Sequence, residues 1–299
     1  MSTQRHILMI FVDGLGIGEQ NSDINPCTFS PHFFSHFQHE TYPKPLSPMG
    51  QVSGLDATLF LDGLPQSATG QTALLTGVNA AQHLGRHLNG FPNQQLRDLL
   101  REFSIFKWFV DNGYKARFLN TFRPPFFDYN PYDIIKRLSV TTVSNLVAGL
   151  PFFSLNDLRE QRSIYQDIIG NALVELGFQV PLYTPEQAGE IVARESSHNH
   201  FSLFEYFQTD RAGHSQNMPR CREVLEILER FMGSVLAHVD LNRTLVILTS
   251  DHGNFEDLSS RSHTRNKAMT VVFGRDAESI IAGWHSIIDI YPAIISLFK

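Results

Sequence analysis

Runs of Ile, Leu, Val and Phe, apolar at successive positions rather than alternate ones, punctuate the chain at Ile7 to Val12, Ala116 to Asn120, Leu203 to Gln208, Leu245 to Thr249 and Met269 to Phe273. A strand that is apolar on both faces must be covered on both faces, which is the environment of a parallel sheet between helical layers. Between these runs the period changes to that of a helix. In "NMPRCREVLEILERFMGSVLAHVD" the positions Val224, Ile227, Leu228, Phe231, Val235 and Val239 recur at helical spacing behind Pro219, which suits a first turn. "TPEQAGEIVARE" opens with Thr184, Pro185 and Gln187, the pattern of a capping box. Strand and helix in alternation predict an α/β fold with a mostly parallel central sheet and helices on both faces.

Residues 122–200 differ in texture. "FRPPFFDYNPYD" and "GLPFFSLNDL" are rich in aromatics and turn formers and poor in buried-strand runs. This stretch is expected to be a small inserted cap or substrate-binding subdomain on a metal-binding catalytic core made of 1–121 and 201–299. At 299 residues and 42% hydrophobic, the chain can bury a substantial core. A formal charge of −6 argues against a nucleic-acid partner, which would call for a basic excess, and favours a small-molecule substrate. Two cysteines, Cys27 and Cys221, are too few and too far apart for a disulfide framework or a thiolate metal site, so a reducing compartment is expected. The N-terminal apolar run is shorter than a signal-peptide core, and no stretch approaches the roughly 20 apolar residues of a membrane span. A cytoplasmic protein with no membrane partner is expected, and its oligomeric state stays open.

In open α/β sheets ligands gather at the carboxyl ends of strands, so the polar residues placed there carry the interest. Ile7 to Val12 runs into Asp13, followed by Gly14, Gly16 and Gly18. Leu203 to Gln208 runs into Asp210, with His214 one helical turn later. Leu245 to Thr249 leads to Asp251 and His252 side by side, and "SRSHTRN" adds His263 just before the last strand. One such acid is commonly a turn former or helix cap. Three acids and three histidines converging on one sheet edge instead suit one or two divalent ions, such as zinc or manganese, rather than calcium, which prefers oxygen alone.

A nucleophile is offered by "PQSATGQTALLTG". Ser67 precedes a helix start read at Thr72 to Val78, near the end of a helix that favours anions, and Thr69 is the alternative. A divalent ion lowers the pKa of a hydroxyl bound to it, which would activate either one.

"FVDGLGIG", "SATGQTALLTG", "TDRAGH", "TSDHGN" and "SHTRN" occur in the order and context of the alkaline phosphatase superfamily, and the last two resemble its branch of cofactor-independent phosphoglycerate mutases and phosphopentomutases. "SIIDIYPAIISLF" resembles the helix that closes these domains. The resemblance covers roughly the first and last hundred residues. It implies an alkaline-phosphatase-like core with two metals, one held by Asp13, Ser67, Asp251 and His252, the other by Asp210, His214 and His263. It also implies attack by Ser67 on a phosphate mono- or diester to give a phosphoserine, relieved by water in a phosphohydrolase or by a second hydroxyl in a phosphomutase. A metal-binding domain without turnover is the third possibility.

The chain departs from the mutases at the nucleophile. They carry Asn-Ser-x-x-Gly-His where this chain has Gln66-Ser67-Ala68-Thr69-Gly70-Gln71. Candidate phosphate-holding cations are Arg86, Arg123, Arg211 and Lys267. Phe126, Phe127, Tyr129 and Tyr132 are candidates for an apolar wall around a leaving group. His32, His36 and His39 lack nearby acids and read as structural or surface residues.

Overall fold

A computed structural model of the protein describes residues 5–299; residues 1–4, at the head of the expected first core segment, lie outside them. Seven strands form one sheet: β1 (His6–Val12), β2 (Lys44–Leu46), β3 (Gly50–Leu55), β4 (Ala116–Phe118), β5 (Phe201–Tyr206), β6 (Thr244–Thr249) and β7 (Ala268–Phe273). Their spatial order is β2-β3-β7-β6-β1-β5-β4. β1 is buried at every position. Its side chains alternate between two hydrophobic clusters, with Leu8, Ile10 and Val12 in one and Ile7, Met9 and Phe11 in the other. Both faces are covered, which is why the run carries no polar alternation.

β5 and β6 flank β1 in parallel, with Ile7 opposite both Phe201 and Leu245. β4 continues the parallel set beyond β5. On the other side β7, β3 and β2 follow in antiparallel pairings. The expected α/β sheet, parallel through its centre, is therefore present. Two strands were not expected. β2 is only three residues long and β3 ("GQVSGL") carries two glycines, so neither makes an apolar run. β5 begins and ends two residues earlier than its apolar pattern suggests, because Gln208 already belongs to the next helix.

Four helices matter most for the site: α1 (Ser67–Thr76), α2 (Pro185–Ser196), α3 (Gln208–Ser215) and α4 (Met218–His238). α2 and α4 pack on one another over one face of the sheet, and α1 packs with helices Gln94–Phe103 and Val140–Val147 over the other. The capping box expected at α2 is formed: the Thr184 side chain accepts from the Gln187 amide. Asn217 caps α4 in the same manner, and Pro219 falls in its first turn. Within 122–200, helices Val140–Val147 and α2 lie in these core layers, whereas 123–137 is mostly exposed and forms only two short helical turns, Pro124–Phe127 and Ile135–Arg137. Among the described residues no helix is long and apolar enough to cross a membrane.

Candidate metal centre

The centre is assembled at the carboxyl edge of the parallel strands. β1 delivers Asp13, whose carbonyl accepts from the Thr209 hydroxyl at 2.6 Å. β6 leads into Ser250, Asp251 and His252, all fully buried. α3 starts after a single intervening residue, Phe207, and presents Asp210 in its first turn and His214 one turn later. His263 sits in the loop ahead of β7, and Ser67 is the first residue of α1.

α1 starts five residues before the expected Thr72. Ala68 to Thr76 are all buried, so the helix has no polar face from which a period could be read. Gly70 weakens the local helical signal further, yet a Cβ there would lie 2.7 Å from the Asp251 carbonyl oxygen. Gly14, at φ +72°, is required for a second close approach: a Cβ would lie 2.9 Å from Asp210 Oδ1.

The six acids and imidazoles fall into two groups, Asp13 with Asp251 and His252, and Asp210 with His214 and His263. In each group one donor atom per residue lies within 4.8 Å of the others. His252 Nε2 is 3.3 Å from Asp13 Oδ1 and 3.6 Å from Asp251 Oδ2. Asp210 Oδ1 is 3.4 Å from His214 Nε2 and 3.7 Å from His263 Nε2. The imidazoles of His252 and His263 stack with centroids 3.8 Å apart, which joins the groups. Ser67 Oγ lies 3.0 Å from His252 Nε2. Thr69 is turned away, its hydroxyl donating to the Gln66 carbonyl at 3.0 Å.

The hydrogen bonds around these groups test whether a cation fits. Nδ1 of His263 lies 2.8 Å from the Pro65 carbonyl and Nδ1 of His214 lies 2.6 Å from the Arg261 carbonyl. A carbonyl only accepts, so each ring carries its proton on Nδ1 and turns the Nε2 lone pair to Asp210. Acceptors then face acceptors. Asp13 Oδ1 and both carboxyl oxygens of Asp251 are buried without a hydrogen-bond partner. Such groups need a proton or a cation between them, and mixed carboxylate and imidazole donors suit a divalent ion.

Comparison with known proteins points the same way. Residues 184–298 match the family described as "Metalloenzyme superfamily". A 2,3-bisphosphoglycerate-independent phosphoglycerate mutase of Legionella pneumophila (strain Corby) is 28% identical over 130 residues, which is 40% of this chain and 24% of that enzyme. The match thus spans about a quarter of the curated relative's length. Among solved structures, alkaline phosphatase from the Antarctic bacterium TAB5 aligns at TM-score 0.56 and 15% identity, over 99% of this chain and 98% of that one. Leishmania mexicana phosphoglycerate mutase aligns at TM-score 0.58 and 10% identity, over 98% and 95%. Residues 184–298 are thus similar to metalloenzymes of that family, and the fold as a whole is similar to those of alkaline phosphatase and phosphoglycerate mutase.

The electrostatics of the centre follow from burial. Burial first, then the charges of Asp251, Asp210 and Glu205, raise the Asp13 carboxyl well above its ordinary range. Burial and then Asp210 push Asp251 up to about 8. Burial and then the neighbouring His263 hold His252 well below the usual imidazole value, and burial also lowers His263. Each shift favours the uncharged form, as expected for carboxylates and imidazoles crowded together without a cation.

Two residues around the centre escaped the sequence reading. Glu256 is 1% exposed and has no cationic partner among the described residues. Its Oε2 accepts from the amides of Gly16 and Asn254, both at 2.9 Å, and its Oε1 from the Thr264 hydroxyl at 2.5 Å and the Asn266 amide at 3.0 Å. It thereby ties together the loops that carry Asp13, Asp251 with His252, and His263. Asn254 donates to Asp210 Oδ1 at 2.7 Å and to the Asp210 carbonyl at 3.0 Å. Their visible signal was position: both stand within five residues of Asp251, in "TSDHGNFED".

Two cavities open beside the centre. One, about 650 Å³, lies beyond the ends of β4 and β5 among Phe118, Phe122, Phe126, Tyr129 and Glu205, with Arg123 and Arg137 also in its wall. The other, about 790 Å³, shares Arg123, Tyr165 and Gln166 with it and adds Arg211 and Arg220. Of the expected cations, Arg123 and Arg211 therefore face cavities next to α3, Lys267 lines a separate small cavity with Glu40 and Tyr42, and Arg86 is exposed. Of the expected aromatic wall, Phe126 and Tyr129 line the first cavity, while Phe127 and Tyr132 are exposed outside it.

Proposed function

We propose that the protein is a two-metal phosphohydrolase acting on a small phosphate mono- or diester, with Ser67 as nucleophile. The observation that supports this best is Ser67 Oγ standing 3.0 Å from His252 Nε2 at the junction of two carboxylate and imidazole groups. Asp13, Asp251, His252 and the Ser67 oxygen would hold one divalent ion, and Asp210, His214 and His263 a second, with zinc or manganese suited to both. When bound, such ions neutralise the crowded carboxylates and lower the pKa of a coordinated hydroxyl.

The chain's own groups supply the rest. α1 directs the positive end of its dipole at the position of Ser67, where an ester phosphate would arrive. The Ser67 oxygen attacks phosphorus and the ester oxygen leaves, giving a phosphoserine that water hydrolyses. Asn254 holds the Asp210 carboxylate in place, and the carbonyls of Pro65 and Arg261 fix the imidazoles of His263 and His214. His214 is 42% exposed, so the centre is open to solvent on that side and an attacking water has a route to it. Residues 122–200 are assigned as the cap that receives the organic part of the ester, since Phe122, Arg123, Phe126, Tyr165 and Gln166 face the neighbouring cavities. Cys27 and Cys221 are both buried and free, in keeping with a reducing, cytoplasmic setting.

Hydrolysis is preferred to mutase chemistry because of Gln71. Its Nε2 lies 3.4 Å from Asp13 Oδ2, and an amide cannot take up a proton as an imidazole can. The mutase reading keeps one support, the similarity to phosphoglycerate mutases. Incubating the metal-loaded protein with 4-nitrophenyl phosphate and bis(4-nitrophenyl) phosphate decides the matter. Release of nitrophenol, lost in Ser67→Ala, is expected. Inertness toward both esters together with retained metal binding would leave the silent-domain reading instead, and interconversion of phosphoglycerates without phosphate release would establish the mutase.

A further inference from the structure

Glu205 is the penultimate residue of β5, the one charged side chain in a strand that is buried at every position. The residue is 7% exposed, and no cationic side chain pairs with it among the described residues. Its Oε2 accepts from the Thr141 hydroxyl at 2.7 Å. Its backbone is clamped on the other side: the Glu205 amide donates to Asn120 Oδ1 and the Glu205 carbonyl accepts from Asn120 Nδ2, both at 2.8 Å. The carboxyl is thus held in a fixed place on the wall of the 650 Å³ cavity, among Phe118, Phe122 and Phe126. Burial raises it to about 7, and its charge is one of those that raise Asp13, so the cavity wall and the metal centre are electrostatic neighbours.

A buried carboxyl that lacks a protein cation is costly unless something donates to it. Core packing does not require an acid here, since the neighbouring strand positions are Phe204 and Tyr206. Arg123 and Arg137 belong to the same cavity but are exposed and form no ion pair with Glu205. What remains is a donor brought by the ligand.

We propose that this cavity receives the organic part of the ester and that Glu205 is a specificity-determining residue, selecting substrates whose organic part presents an N–H or O–H donor beyond an apolar or ring segment. The inference rests on the phosphoryl-transfer reading above for the identity of the ester, but the preference itself is a property of the pocket. The phenyl rings supply a surface for the apolar segment, and an ammonium would gain in addition from their faces. A hydroxyl would gain only the hydrogen bond. The two donors are separated by the variant Glu205→Gln, which keeps an acceptor oxygen and removes the charge.

The test uses three phosphate esters of one shape: 4-methylphenyl, 4-(hydroxymethyl)phenyl and 4-(aminomethyl)phenyl phosphate, with phosphate release by the metal-loaded protein as the readout. At least one donor-bearing ester is expected to exceed the methyl compound by about 10-fold or more in kcat/KM, in line with sites built to meet a polar group. In Glu205→Ala that advantage should vanish, so that the three esters are turned over with kcat/KM values in about the same ratio to one another, whatever the overall rate of the variant. In Glu205→Gln an advantage due to a hydroxyl persists and one due to an ammonium is lost. Thr141→Val frees the carboxyl without removing it and should reduce the advantage, which covers the case in which Glu205→Ala does not fold. The corresponding arylphosphonates, which cannot be hydrolysed, are titrated by calorimetry in parallel. If no ester is turned over but the phosphonates bind with a Glu205-dependent preference, phosphoryl transfer fails and the pocket stands. Equal preference in wild type and Glu205→Ala, or no preference in either assay, overturns the proposal.

Discussion

At the scale of single residues, Ser67→Ala removes one oxygen from a half-buried position and is expected to leave the fold unchanged. With Ser67 as nucleophile, kcat/KM is expected to fall by about 10³-fold or more, measured by nitrophenol release, while Thr69→Ala keeps chemistry and alters only the packing of α1. Glu256→Gln turns an amide N–H toward donors that now meet carboxylate oxygen. A loss of about 1–3 kcal/mol in denaturant unfolding is expected, with weaker metal uptake by titration calorimetry. Asp13, Asp210, Asp251, His214 and His252, which the fold brings together, could be singled out in the sequence because each follows a strand closely or by one helical turn, whereas His263 stands in the long loop ahead of β7 and was singled out by its place before the last strand. Glu256 was not, because half of its partners are backbone amides, which leave no residue-type signature, and the others are a hydroxyl and an amide side chain rather than a cation. Glu205 gave a faint signal, an acid inside a buried strand, that the apolar neighbours masked.

The elements explain why some of the fold could be read and some could not. β1, β6 and β7 are covered on both faces and produce unbroken apolar runs, whereas β3 reaches the sheet with two glycines in six residues. α1 is buried on all sides, so its first turns carry no period. Gly70→Ala, a favourable change for an isolated helix, is expected here to destabilise by about 1–3 kcal/mol, since the added carbon meets the Asp251 carbonyl and must displace α1 or the loop after β6. Thermal melts read the first effect and metal titration the second. The loop after β6 also sets a pH dependence in the metal-free protein. Asp251 is raised from 3.8 to about 8, so the folded chain keeps a proton that the unfolded chain has lost, and stability declines as pH rises through that window. Asp13 acts in the same sense. His252, held below 6.5, acts oppositely and only in more acid solution. From about pH 6.5 to 8 the carboxyls act alone: Tm of the chelated protein should fall as pH rises, and Asp251→Asn should flatten the slope. A rising Tm over that range would contradict the buried, partnerless state of Asp251.

Over the whole molecule, the side chains of the centre come from positions as far apart as Asp13 and His263. Ions held there would join distant parts of the chain and would bind only the folded form. Chelation is therefore expected to lower Tm, and restoring metal at 100 times its dissociation constant should return about 2.7 kcal/mol for each ion. A Tm indifferent to chelator would mean that no ion is held.

The sheet's outer limits matter at this scale too. β2, the last strand on the antiparallel side, contains Lys44 and Pro45 in a stretch of three residues. Proline has no amide hydrogen to offer and lysine keeps its charge in water, so the open margin is a poor template for another chain to join. Replacing Pro45 by Thr should therefore raise light scattering and thioflavin binding in concentrated, gently heated solutions, leaving turnover of the dilute protein as it was.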